Sequence, residues 1–156
     1  MKIHSFHKIG LGGINRMPTY IVTVKPTLLN DEAKDQIAKY ITSIHSEVTG
    51  APSYFAQVII NESSSRRYIG GELSDSQIWI RADIRNGRTI EQRKRLIEKI
   101  VTGVSRIAKV PKAEIWVYLN NMEATDMAEF GEILPKAGEE KEWFESLPKE
   151  VQTKLS

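Results

Sequence analysis

The pair Met17-Pro18, followed directly by a strand-like run, contains the residue with the most unusual possible reactivity in this chain. If translation begins at Met17 and the methionine is removed, Pro18 has a free N-terminal secondary amine. Such an amine titrates below a lysine, and burial lowers its pKa further because desolvation disfavours the charged form. It could then exchange a proton near neutral pH. If residues 1–17 remain attached, the same nitrogen is a tertiary amide and cannot transfer a proton.

Five further side chains are candidates for acid–base or binding chemistry. His45 is the only histidine after residue 17 and lies on or beside the apolar face of a predicted helix, where a structural role is the simpler interpretation. Arg85 and Arg88 lie between a predicted strand and a predicted helix, which suits bidentate capture of a carboxylate, although a solvated turn has the same pattern. Tyr118 lies in an apolar strand, where a buried phenol needs a partner from the core or a substrate. Taken alone, Glu129 looks like a surface carboxylate.

Three other arginines compete for the role of carboxylate ligand, namely Arg66, Arg67 and Arg81. The sequence contains no metal-ligand cluster, no nucleotide-binding glycine pattern and no Ser-His-Asp constellation. It also contains no cysteine, which excludes a disulfide framework and a thiolate nucleophile.

The charge distribution argues against a nucleic-acid or membrane partner. Three of the 22 basic residues, and none of the 20 acidic ones, lie in residues 1–17. The remainder has 19 basic and 20 acidic residues, a net charge of −1. No apolar run approaches the roughly 18 residues that span a bilayer, and residues 1–17 lack the apolar stretch of a secretory signal. We therefore expect a cytoplasmic protein.

The chain of 156 residues is predicted to have one folded domain, residues 18–156. Residues 1–17 are predicted to be an N-terminal extension that arises from an upstream translation start, a tag or a weakly transit-like segment. They take no part in the predicted fold.

The elements that must position the candidate side chains occur twice, about 59 residues apart. Each half has a strand, a helix with helical spacing of aliphatic residues, and a second strand. The predicted bounds are 18–25, 31–50 and 54–62 in the first half, and 77–84, 89–107 and 114–119 in the second. Two such units predict an α/β (α+β) fold in which two fused β-α-β units form a four-stranded sheet with helices on one face.

The segments outside the repeat are less regular. Residues 61–76 are rich in Ser, Gly and Arg and are predicted to form a loop with a short hairpin. Residues 123–134 are predicted to hold a short third helix that ends near Gly131, with Glu129 close to its end. A turn at 135–140 and an amphipathic segment from Trp143 to Val151 follow, and this segment is interpreted as a cap over the core or a subunit contact.

Taken together, these residues resemble the tautomerase superfamily, and within it the cis-3-chloroacrylic acid dehalogenase family. The resemblance runs from Pro18 to about Val151. It is carried by Pro18-Thr-Tyr-Ile-Val, Ala38-Lys-Tyr-Ile-Thr-Ser-Ile-His45, Gly50, Gln57-Val58, Ile84-Arg85-Asn-Gly-Arg88, Ile115-Trp-Val-Tyr118, Met127-Ala-Glu129-Phe-Gly131 and Trp143-Phe144.

The resemblance implies a homotrimer and a cofactor-free, metal-free mechanism on a small carboxylate substrate. Pro18 matches the family's N-terminal proline and His45 its helix histidine. Arg85 and Arg88 match its carboxylate-binding pair. Tyr118 and Glu129 match the tyrosine and glutamate that activate water. The implied reaction is hydration, or hydrolytic dehalogenation, of a 3-substituted unsaturated acid to malonate semialdehyde.

Two departures from the family pattern leave other functions open. Seventeen residues precede Pro18, and Ala51 and Phe55 stand where the dehalogenase has threonine and leucine. One alternative is a keto–enol tautomerase of phenylpyruvate-like acids, which needs Pro18 and one arginine but gives Glu129 little to do. The other is a trimeric binding protein without catalysis. Neither the natural substrate nor a following decarboxylation can be read from the residues.

Overall fold

The computed structural model describes residues 18–51, 56–136 and 139–155. Its centre is a sheet of four strands, β1 (Thr19–Val24), β2 (Gln57–Glu62), β5 (Ile78–Arg85) and β6 (Ile115–Met122), in the order β2-β1-β5-β6. Strands β1 and β2 are parallel, β5 and β6 are parallel, and β1 runs antiparallel to β5. The two long helices are α1 (Asp31–Thr49) and α2 (Ile90–Ala108).

The structure confirms the predicted repeat. The first strands of the two halves begin at Thr19 and Ile78 and the helices begin at Asp31 and Ile90, so both pairs are 59 residues apart. Local chemistry explains the helix ends. The Asn30 side chain accepts a hydrogen bond from the Ala33 N–H at 2.8 Å, which caps a backbone donor left unpaired at the helix start.

The core lies between one face of the sheet and the two helices. Tyr20, Val22 and Val24 of β1 are fully buried and pack in one cluster with residues such as Ile41 and Ile100 from the helices. Their spacing of two along the strand places them on the same side. Each aliphatic side chain buried in this way contributes about 1.5–3 kcal/mol, so this face determines the register of the sheet.

The opposite face of the sheet carries large apolar side chains that are exposed to solvent. Four of them are Ile59, Trp79, Trp116 and Tyr118. For Tyr118 the sequence left a partner from the core or a substrate open; the residue is 52% exposed and so does not lie in the core of its own chain. Alternation along β6 places Ile115 in the core and directs Tyr118 away from the helices.

The predicted third helix over residues 123–134 is wrong. A 3₁₀ turn at Ala124–Asp126 leads into a hairpin of β7 (Ala128–Glu129) and β8 (Glu132–Ile133). Phe130 and Gly131 form its turn with φ angles of 55° and 87°. Two consecutive positive φ values match a tight hairpin turn, so Gly131 reverses a strand instead of ending a helix.

A second hairpin occupies the equivalent place in the first half. Strands β3 (Tyr68–Ile69) and β4 (Glu72–Leu73) confirm the hairpin predicted in the loop of residues 61–76. Gly70 and Gly71 form its turn, also with positive φ angles. The hairpins lie 60 residues apart, so the internal repeat extends beyond the β-α-β units.

The C-terminal segment forms two short helices, α3 (Glu140–Ser146) and α4 (Lys149–Leu155). Leu147 is buried between them and packs against Trp143, Phe144 and Val151. The Trp143 indole N–H donates to the Ile133 carbonyl oxygen at 2.8 Å. This segment therefore supports the β7–β8 hairpin. No helix in the described ranges is both long enough and apolar enough to cross a membrane.

Candidate active site

Five of the candidate residues, all except Tyr118, converge on one end of the sheet because of the strand directions. Tyr118 lies inside β6 on the exposed face. The register pairs Thr19 with Gln57 and with Asp83, and Arg85 with Met122. The amino ends of β1 and β2 therefore share an edge with the carboxyl ends of β5 and β6. The carboxyl end of α1, with His45, and the amino end of α2 also reach this edge.

Pro18 occupies the amino end of β1 and is buried. Its carbonyl oxygen accepts a hydrogen bond from the Gln57 N–H at 2.9 Å, which continues the β1–β2 ladder by one residue. This bond anchors the backbone at the proline. Residues 1–17 lie outside the described part of the chain.

Glu129 lies in a cleft of about 490 Å³ that reaches Thr19, the residue after Pro18. The cleft is lined by Thr19, Gln57, Met122, Asp126, Met127, Ala128, Glu129 and Phe130. The Oε2 atom of Glu129 is buried and has no hydrogen-bond partner among the described residues. Burial raises the pKa of Glu129 to about 7, and the Arg85 guanidinium opposes this rise in part. A carboxylate with this pKa can take a proton from water near neutral pH.

Arg85 is the last residue of β5 and is almost completely buried. Its Nη1 donates to the Pro135 carbonyl oxygen at 2.9 Å, which ties the strand to the segment after the hairpin. The turn that follows is held by the Asn86 N–H, which donates to the Met122 carbonyl oxygen at 2.7 Å. Gly87 adopts a φ angle of 111°, a conformation that favours glycine.

Arg88 folds back from this turn and is also buried. Its Nη1 donates to the Arg85 carbonyl oxygen, and its Nη2 lies 3.4 Å from Nε2 of His45. The alternative that Arg85 and Arg88 form a solvated turn is therefore wrong. Two buried guanidiniums at one end of a sheet form a strongly positive region that suits an anionic ligand.

The competing arginines lie elsewhere. Arg81 is paired with Asp83 at 3.2 Å on the exposed face of the sheet. Arg66 lies over the Tyr68 ring at 5.8 Å. Arg67 donates to the Gln77 carbonyl oxygen at 2.7 Å, near the opposite end of β1 from Pro18.

His45 lies in the last turns of α1, is 1% exposed and contacts Tyr20 and Arg88. Its Nδ1 lies 2.7 Å from the hydroxyl oxygen of Tyr20, and its Nε2 faces Arg88. Sequence reasoning did not single out Tyr20 and missed this contact. The available clue was a tyrosine among aliphatic residues on a buried strand face, since such a hydroxyl needs a partner.

The two halves of the repeat contribute different residues to this site. Pro18 and His45 come from the first unit, and their counterparts 59 residues later are Gln77 and Val104. Glu129 comes from the second unit and corresponds to Ile69 in the first hairpin. The residues suited to chemistry are therefore gathered at one end of the pseudo-symmetric sheet.

A larger groove of about 650 Å³ lies between α1 and β2. It is lined by Ala38, Lys39, Thr42, Ser43, Ser46, Ala56 and Val58. This lining has no carboxylate, histidine or arginine. The smaller cleft at Glu129 is therefore the better candidate for acid–base chemistry. No group of three or more metal-ligating side chains occurs among the described residues.

Comparison with known proteins now identifies the family. The model of the Tautomerase_3 family, described as "Putative oxalocrotonate tautomerase enzyme", matches residues 17–146. The crystal structure of N1, a member of the cis-3-chloroacrylic acid dehalogenase (cis-CaaD) family, has 34% sequence identity and a TM-score of 0.81. The match covers 88% of this chain and 97% of N1. The chain belongs to the tautomerase superfamily, in its cis-CaaD family. The resemblance drawn from the sequence is thus confirmed.

Two further relatives of this tautomerase-superfamily chain bear on its repeat. "Probable tautomerase gbs1111" of Streptococcus agalactiae is 36% identical over 58 residues, which are 37% of this chain and 97% of that protein. A protein of about one repeat in length therefore matches this two-unit chain. The "F6 fused 4-OT wild type asymmetric trimer" is similar in fold, with a TM-score of 0.69 and 23% identity over 74% of this chain and 94% of that one.

Proposed function

We propose that this tautomerase-superfamily member is a cofactor-independent hydratase and hydrolytic dehalogenase of small 3-substituted unsaturated carboxylic acids. The observation that carries the proposal is the half-buried Glu129, with a pKa near 7 and a buried Oε2 atom, in a cleft lined by Thr19, the residue next to Pro18, and close to Arg85. A simple keto–enol tautomerase has no evident need for this carboxylate. Addition of water needs a base that is ionised at neutral pH.

In the proposed mechanism Arg85 and Arg88 hold the substrate carboxylate and stabilise the negative charge that develops on it. This withdraws electron density from the double or triple bond and makes the β-carbon electrophilic. Glu129 removes a proton from water, with His45 and Tyr118 assisting, and the water oxygen bonds to the β-carbon. Protonated Pro18 delivers a proton to the α-carbon.

The product follows from the bond changes. Addition of water to a 3-chloroacrylate places hydroxyl and chlorine on the same carbon, and loss of HCl from that carbon gives malonate semialdehyde. Addition of water to propiolate gives the enol of the same aldehyde. The protein supplies position and charge, and no oxidant or reductant is needed.

The participation of Tyr118 requires a second subunit in this proposal. Tyr118 lies on the exposed sheet face, together with Trp79, whose ring centroid is 5.9 Å away, and Trp116. We propose a homotrimer in which this face is covered and the phenol reaches a site across a subunit interface. The trimeric fused 4-OT supports this assembly. Sedimentation equilibrium tests it, and a monomer at assay concentration would exclude the role of Tyr118.

Catalysis by Pro18 requires a free amine. Support comes from the family match, which begins at residue 17, directly before Pro18. We propose that residues 18–156 are the catalytic domain and that residues 1–17 are absent from the active form.

A direct assay tests the proposed activity. Protein beginning at Pro18 is incubated with cis-3-chloroacrylate and with propiolate, and malonate semialdehyde is followed by proton NMR. The expected result is turnover of at least one acid, and absence of turnover with both would refute the proposal. Because curated relatives are named tautomerases, phenylpyruvate tautomerisation is the second candidate activity and is measured in parallel.

A further inference from the structure

A buried line of contacts connects strand β1 to the candidate carboxylate ligand. The Tyr20 hydroxyl oxygen lies 2.7 Å from Nδ1 of His45, and Nε2 of the same ring lies 3.4 Å from Nη2 of Arg88. Tyr20 is 0% exposed, and its ring meets that of His45 edge to face at 74°. The three side chains come from β1, α1 and the turn before α2.

The donors available on Arg88 determine which atom donates in each of these two hydrogen bonds. A guanidinium has N–H donors and no acceptor, so the Arg88 contact requires a lone pair on Nε2 of His45. A neutral imidazole then carries its proton on Nδ1, and that N–H donates to the Tyr20 oxygen. The opposite tautomer would place an N–H against the N–H groups of Arg88.

We propose that Tyr20 is a positioning residue that holds the His45 ring in place and, through it, holds Arg88 at the anion-binding position. The Tyr20 oxygen accepts from the ring, so the other ring nitrogen is available to accept from Arg88. An arginine has several rotatable bonds, and a fixed acceptor reduces the number of orientations that its guanidinium can adopt. The role of Arg88 in binding a substrate carboxylate rests on the proposed function. The tautomer of His45 does not depend on that function.

The chain offers a matched control for removal of this hydroxyl. Tyr40 lies on α1, and its hydroxyl donates to the Lys99 carbonyl oxygen at 2.9 Å, away from His45. Tyr20→Phe and Tyr40→Phe each remove one hydrogen-bonded phenol oxygen and keep the ring. A purely structural role for Tyr20 predicts similar effects of the two substitutions on ligand binding.

The tautomer is measured by ¹⁵N NMR on the full-length chain labelled at histidine, with His45→Gln used to assign the signal among the three histidines. The expected result is a protonated Nδ1 and an unprotonated Nε2. In Tyr20→Phe the Nδ1 signal should shift because its hydrogen-bond partner is removed, and in Tyr40→Phe it should not. A protonated Nε2 in the unsubstituted chain, or unchanged signals in Tyr20→Phe, would overturn the proposal. If Tyr20→Phe does not fold, the tautomer of the unsubstituted chain decides alone.

Binding is measured on the same samples by titration with propiolate. Loss of the hydrogen bond to His45 should weaken binding about 2- to 10-fold in Tyr20→Phe, with no change in Tyr40→Phe. Equal weakening in both variants would overturn the link from Tyr20 to Arg88. If propiolate does not bind the unsubstituted chain, the carboxylate role of Arg88 fails, and the tautomer result still supports or overturns the positioning of His45.

Discussion

Replacement of Glu129 by glutamine separates the proposed hydration from tautomerisation. Glutamine keeps the size of the side chain but cannot take a proton from water. General base catalysis contributes about 10²–10⁴-fold, so hydration of propiolate by Glu129→Gln should fall by at least about 100-fold. Phenylpyruvate tautomerisation, which uses Pro18 as base, should change much less.

The raised pKa of Glu129 also predicts how much the hydration rate changes with pH. With a pKa of about 7, Glu129 is about 90% ionised at pH 8 and about 1% ionised at pH 5. Hydration should therefore fall roughly 90-fold from pH 8 to pH 5, where the base is protonated. At higher pH the rate should fall again as the Pro18 amine loses its proton, which gives a bell-shaped profile.

The assay follows malonate semialdehyde from protein that begins at Pro18, and Glu132→Gln is the matched control. Glu132 lies opposite Glu129 in the same hairpin but is exposed. It should retain the activity and the pH profile of the unsubstituted protein. Equal losses in the two variants, or a flat profile between pH 5 and pH 8, would refute Glu129 as the base.

Three further predictions address the carboxylate-binding pair of Arg85 and Arg88, the amino terminus and the stability of the fold. Arg85→Ala and Arg88→Ala should each lower kcat/KM about 10- to 150-fold, because a charged hydrogen bond contributes about 1.5–3 kcal/mol, and Arg66→Ala should have a much smaller effect. A comparable loss in Arg66→Ala would mean that the wrong arginines were assigned. Protein that retains residues 1–17, verified by intact mass, should be at least about 100-fold slower than protein that begins at Pro18, and equal rates would exclude Pro18 as the acid. Finally, Glu129→Gln should raise the free energy of unfolding at pH 8 but not at pH 5. The raised pKa means that the folded state binds more protons than the unfolded state between pH 4.5 and about 7, so stability falls as pH rises through this window. Urea denaturation at both pH values measures the difference, and an equal change at both would contradict it.

The internal repeat and the alternation along its strands were determined by the sequence alone. Alternation predicts that Tyr20 and Val22 lie on one side of β1, and in the structure that side is buried. The start of α1 after Asn30 was also predictable, because a capping side chain acts on donors three residues away. These features depend on short-range periodicity and on hydrogen bonds between residues a few positions apart. Both can therefore be predicted from a single sequence.

The surroundings of the candidate site were decided by the tertiary structure. The hairpin at Glu129 was predicted as a helix because its short strands carry little periodicity, and the equivalent hairpin with Gly71 sixty residues earlier was the missed indication. The exposure of Tyr118 depends on which face of β6 the helices cover. The pKa of Glu129 and the contact of His45 with Tyr20 arise from groups distant in the chain. Desolvation and hydrogen bonding between distant segments come into being only when the sheet and helices assemble, so no local pattern specifies them.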